Sequence, residues 1–147
     1  MKIDHKSAYH DYEILDEFEA GVALIGPEVK SIKLNHASLE GSFVKLVGNN
    51  LYLLNAQIYP YEFAHQEGYD PKRSRRLLLH KKEIISIRSK IQGSSMTLIP
   101  LAWYTKKDLI KLKIALARGK KEYQKKEKIK RRDIDRDTER ILRGKVR

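Results

Sequence analysis

The chain has 147 residues, no cysteine, 41% hydrophobic and 34% charged residues, and a formal net charge of +12. One domain with a real core fits that length, and the lack of cysteine excludes disulfides and thiolate metal sites. No stretch approaches the roughly 20 apolar residues of a membrane-spanning helix, and no apolar run of a secretory signal follows the polar start; a cytoplasmic protein facing nucleic acid is expected.

Composition divides the chain into three zones. Residues 1–8 are short and polar and are expected to be a flexible N-terminus. Residues 9–117 hold nearly all the aromatic and aliphatic side chains. Residues 118–147 carry fourteen Lys and Arg against six Asp and Glu, with too few apolar side chains to form a core.

In the body the apolar period is mostly two, which favours strands. Strands are predicted over residues 12–18 and 22–24. Gly26-Pro27-Glu28 then reads as a cap, a proline in the first turn and an acid near a helix N-terminus, opening a helix that runs to Asn35. Residues 43–47 and 51–56 flank Gly48-Asn49-Asn50, a hairpin signal because Gly and Asn tolerate positive φ. A further strand is predicted over residues 77–79, followed by a helix from Lys81 to about Gln92, with Ile84, Ile87 and Ile91 on one face and Gly93 as its stop. Residues 96–101 and 110–117 are the last strands. In the second of these, Ile110, Leu112, Ile114 and Leu116 share one face and Lys111 and Lys113 the other. The resulting fold class is mainly β: a small antiparallel OB-like barrel with two or three short helices and a basic C-terminal tail.

Chemistry-bearing clusters are few. Pro71-Lys72-Arg73-Ser74-Arg75-Arg76 sets four cations just ahead of an apolar strand, suiting phosphate contact; a solvated loop is the plain alternative. Lys111 and Lys113 fit equally a solubilising face. Tyr9, Tyr12, Tyr59, Tyr61, Tyr69, Trp103 and Tyr104 could stack on unpaired bases, although core or wall positions account for most such residues. Histidines 5, 10, 36, 65 and 80 are dispersed without metal-ligand spacing. Neither a phosphate-cradling glycine loop nor a nucleophile elbow is present, so no catalysis, metal or cofactor is expected. In the tail, Glu122/Lys126, Glu127/Arg131 and Glu139/Arg143 are favourable i,i+4 pairs, each adding only about 0.2–0.5 kcal/mol. It should be largely disordered when free and fold on its partner, or else stand as an exposed helix.

Three stretches carry a resemblance: residues 10–14, residues 17–24 and residues 26–31. With Arg73 to His80, Thr97-Leu98-Ile99-Pro100-Leu101, Tyr104 and Gly119-Lys120-Lys121 they resemble, in order and over essentially the whole chain, the SsrA-binding protein family (small protein B, SmpB). The resemblance implies an OB-like barrel that binds the tRNA-like part of transfer-messenger RNA (tmRNA). It further implies passage with that RNA into the vacant decoding site of a stalled ribosome, after which the nascent peptide is tagged for proteolysis and the ribosome released. By resemblance, Glu19 is an acidic RNA contact, Leu78 and His80 are a supporting pair, and Arg73, Arg75 and Arg76 are the basic loop. Tyr12 and Lys30, within the matching stretches, complete the implied tmRNA-binding set. Gly119, Lys120, Lys121 and Tyr123, with Lys125 and Lys126, are implied to place the tail as a helix in the messenger channel near the small-subunit decoding centre. There the family's Asp-Lys-Arg reads Gln124-Lys125-Lys126, losing an acid and a fork-shaped phosphate donor. A monomer with no membrane partner is expected. Two other readings remain from the residues alone: a structural ribosome-associated protein, and a metal-dependent nuclease built on Asp16, Glu17 and Glu19.

Overall fold

The computed structural model describes residues 1–65 and 67–119. In chain order these form β1 (Lys2–Asp4), α1 (Lys6–Asp11), β2 (Tyr12–Val22), α2 (Gly26–Lys33), β3 (Ala37–Ser38), β4 (Phe43–Val47), β5 (Asn50–Leu54), β6 (Gln57–Ile58), β7 (Arg75–Leu78), α3 (Lys81–Ile91), β8 (Thr97–Lys106) and β9 (Leu109–Gly119). The main sheet runs antiparallel in the order β8-β4-β5-β7-β2-β9, and β9 pairs back onto β8, so the ring closes as a barrel. Closure removes the unpaired edges that an open sheet exposes. β3 and β6 form a separate two-stranded ribbon.

Period-two patterning decides which faces turn inward. Leu112, Ile114 and Leu116 of β9 are fully buried, as are Leu51 and Leu53 of β5 and Leu77 of β7. Ile32 of α2 and Ile87 of α3 enter the same core cluster, and Val29 and Ile91 pack partly buried against it, so each helix sits on the barrel through a pair of aliphatic side chains. The opposite face of β8 and β9 is buried as well: Ile99, Leu101, Ala115 and Ala117 form a second cluster beneath Ala8 of α1. That double burial explains why β8 reads as an almost unbroken apolar run rather than an alternating one. Pro100, which has no N–H to give a ladder, sits where the β8–β9 register shifts.

The expected barrel, its hairpin and the helices opening at Gly26 and Lys81 are present. Gly48 turns the hairpin at φ +62°, and Gly93 follows α3 at φ +72°. The expectation of a flexible start over residues 1–8 is corrected. β1 pairs with β8 (Ile3 opposite Trp103), the buried His5 bonds through Nδ1 to the Pro100 carbonyl at 2.7 Å, and its N–H donates to the Leu101 carbonyl. The two predicted strands of residues 12–18 and 22–24 are one strand to Val22, because Glu19 and Ala20 stay in register with β9.

Candidate nucleic-acid interface

The C-terminal part of β2, β7, the start of α3 and the β8–β9 turn enclose a cleft of about 750 Å³. Gly21 of β2 lies opposite Leu78 of β7. A Cβ on Gly21 would stand 3.3 Å from Leu78 Cβ, so glycine is what allows the Leu78 side chain to lie across β2. Glu19, two residues earlier, shares that outward face. Leu78 remains 50% exposed and Leu109 on the far wall 60%, leaving two aliphatic surfaces open to a ligand. His80 leads into α3, and its N–H donates to Glu83 Oε1 at 3.2 Å.

The cleft is mixed in charge, with cations in the majority. Arg76, Lys106, Lys107 and Lys111 line it against Glu19 and Glu83. Lys106 Nζ donates to Glu19 Oε2 at 3.1 Å. That hydrogen bond, joined by the charge of Lys106, a bond from Tyr104 and the charge of Lys111, outweighs desolvation and holds the Glu19 carboxyl below its usual range. Burial, with the neighbouring Glu19 charge and hydrogen bond, pushes the Tyr104 phenol up to about 12. Glu19 is therefore an ionised acceptor held in place by a lysine at neutral pH. Such a carboxylate can take a hydrogen bond from a base amino group or a ribose 2′-OH, and the cations around it carry the charge that suits phosphates.

Of the residues expected to bind RNA, the fold gathers Glu19, Arg76, Leu78 and His80 in this cleft. It corrects the expectation for Arg75, which is fully buried. Arg75 donates to Glu28 Oε2 from Nε at 2.9 Å and from Nη2 at 2.6 Å, and also to the Ala56 and Pro71 carbonyls. Arg73 is half-withdrawn too, donating from Nε to Glu28 Oε2 at 3.1 Å and from Nη2 to Glu28 Oε1 at 2.5 Å. The cause is alternation: Arg75 and Leu77 point inward on β7, Arg76 and Leu78 outward. Burial pushes the Glu28 carboxyl up, but the bonds from Arg73, the Ile25 N–H and Arg75 together outweigh it and leave it lowered.

The remaining expected residues lie apart from the cleft. Tyr12 packs at the start of β2 against the second core cluster, its phenol raised by burial and then by Asp11. Lys30 on α2 stands 5.6 Å over the Tyr61 ring. Gly119 ends β9 opposite Tyr12, while Lys120, Lys121, Tyr123, Lys125 and Lys126 lie outside the described residues. The sequence did not single out Lys106, Lys107, Leu109, Gly21 and Glu83 as cleft residues. Only the tight two-residue turn between β8 and β9 brings the first three there.

The acids of β2 do not form a metal cage. Asp16 pairs with Lys90 at 2.9 Å, Glu17 with Lys113 at 3.5 Å and Glu19 with Lys106. Among the described residues no three His, Asp or Glu side chains gather to hold a metal ion, and no helix is long and apolar enough to cross a membrane.

The family model described as SmpB protein matches residues 2–144. The chain belongs to the SmpB family. An SsrA-binding protein of Chlorobaculum tepidum is 47% identical over 140 residues, covering 95% of this chain and 89% of that one. Another, of Sulfurihydrogenibium sp. (strain YO3AOP1), is 43% identical over 143 residues, covering 97% and 94%. Among solved structures, a chain from "tmRNA-SmpB: a journey to the center of the bacterial ribosome" superposes with a TM-score of 0.67 at 42% identity, over 81% of this chain and 84% of that one. The residues that give the cleft its chemistry thus sit on an SmpB-type barrel matched along nearly its whole length.

Proposed function

We propose that this SmpB-family protein binds tmRNA through the cleft between β2, β7, α3 and the β8–β9 turn and serves in trans-translation. It accompanies tmRNA to the vacant A site of a stalled ribosome, where the nascent peptide is tagged for proteolysis and the ribosome is released. The observation that carries this reading is the meeting of Glu19, Arg76, Leu78 and His80 in one concave, net cationic site on a chain matched to SsrA-binding proteins along its length. A carboxylate acceptor set among cations, as Glu19 is in this cleft, is what recognition of RNA beyond its phosphates calls for. The protein works as an RNA-binding factor rather than by catalysis, in the cytoplasm with the ribosome. The basic residues from 118 onward suit the messenger channel, where Lys120, Lys121, Tyr123, Lys125 and Lys126 meet ribosomal RNA.

Titration against tmRNA and against a duplex RNA of equal length, at one salt concentration, tests the reading. Clear preference for tmRNA is expected. Equal affinities would leave only bulk attraction and overturn specific recognition.

A further inference from the structure

Beside the cleft, α3 and the β4–β5 turn enclose a second groove of about 420 Å³. Its charged lining is Arg76, Lys81 and Arg88, with no acid among its walls, and its apolar part is Leu79, Ile84 and Ile85. Ile85 is 56% exposed, unusual for an isoleucine on a short helix whose opposite side is anchored by Ile87. The groove joins the cleft without a break: Arg76, Leu79, Ile84 and Asn50 line both. Arg88 is fixed there, since its Nη2 donates to the Gly48 carbonyl and to Asn49 Oδ1. Both bonds use one nitrogen, which leaves the remaining edge of the guanidinium for an anion.

We infer that this groove is a phosphate track that takes the RNA segment next to the one held at Glu19. This deepens the proposed tmRNA reading and rests on it. Charge complementarity carries the argument. The cleft mixes acids with cations and suits discrimination, whereas an all-cation groove with an aliphatic floor suits a sugar-phosphate backbone, with ribose or base against Ile84 and Ile85. Arg76, projecting outward at the junction, hands the strand from one to the other. Lys81 and Arg88 contribute affinity that depends little on sequence.

The test is the salt dependence of tmRNA binding by the full chain, for wild type, Lys81→Ala, Lys81→Ala/Arg88→Ala and a control, Lys6→Ala/Lys33→Ala, which removes the same charge elsewhere. Each lost phosphate contact lowers the slope of log K against log salt by about 0.7–0.9. The double variant should therefore lose about twice that, Lys81→Ala about half as much as the double, and the control nothing. Arg88→Lys, which keeps the charge, should recover most of the slope if the double variant proves poorly folded by circular dichroism. Wild-type slope in Lys81→Ala and in the double variant, or equal loss in the control, overturns the track. Failure of wild type to prefer tmRNA over duplex would instead overturn the functional reading beneath it.

Discussion

Replacing Arg75 by alanine leaves the Glu28 carboxylate buried with one of its two guanidinium partners gone. Breaking a buried pair of this kind costs about 3–5 kcal/mol, so Arg75→Ala should lower the denaturation midpoint sharply. Arg76→Ala, one residue on and facing outward, should change stability by no more than about 0.5 kcal/mol while weakening tmRNA binding. The same cluster sets a pH window. The folded Glu28 carboxyl titrates below its unfolded value, so its contribution is complete above the unfolded pKa and is lost as pH falls through the folded one. Burial, then the hydrogen bond to Glu28 and its charge, push the Tyr69 phenol up to about 12. Its contribution is complete below its ordinary value near 10 and is lost as pH rises towards 12. Denaturant midpoints across acid and alkaline pH should show a plateau with both shoulders, and Glu28→Gln should flatten the acid one. The sequence located a basic run at 72–76, but not which of its cations would face water. That depended on a carboxylate 45 residues away from Arg73 and 47 from Arg75, beyond any local pattern.

The β8–β9 hairpin shows how an element serves the site at a cost to the fold. Lys107 and Asp108 both take left-handed conformations, at φ +50° and +66°, where a type I′ turn favours Asn-Gly. Lys107→Asn/Asp108→Gly should stabilise the protein by about 1 kcal/mol or more in thermal melts, yet weaken tmRNA binding because Lys107 lines the cleft. This turn carries no glycine, so its sequence gave no hairpin signal, in contrast to Gly48-Asn49, whose turn was legible. β1, β3 and β6 span only two or three residues each, too short for a period to register; α1 has a single buried side chain, Ala8. Their places come from pairing with distant strands. β4, β9, α2 and α3 were legible because each repeats one period and is bounded by glycine, proline or a charged turn, whereas β8, apolar on both faces, was legible only as far as Leu101 although it runs to Lys106.

At the scale of the molecule the proposed functions divide between the barrel and the basic residues that follow it. Among the described residues the groups gathered in the cleft lie on the barrel strands, on the β8–β9 turn and at the start of α3. Removal of residues 120–147 should leave tmRNA affinity near wild type while abolishing peptide tagging on stalled ribosomes in a reconstituted translation assay. Loss of tmRNA binding in the truncated chain would contradict that division. The cleft itself was only partly legible: Glu19, Leu78 and His80 came through resemblance, whereas the lysines around them required barrel closure. The most direct test of the cleft is the affinity of Glu19→Lys for tmRNA, with folding checked by circular dichroism. Glu19 is half-buried at the cleft, bonded to Lys106 at 3.1 Å and to Tyr104, and belongs to neither core cluster, so the fold should survive. The account predicts strongly weakened tmRNA binding despite the added positive charge. Affinity equal to or above wild type would mean that charge alone attracts the RNA and that the cleft does not read it.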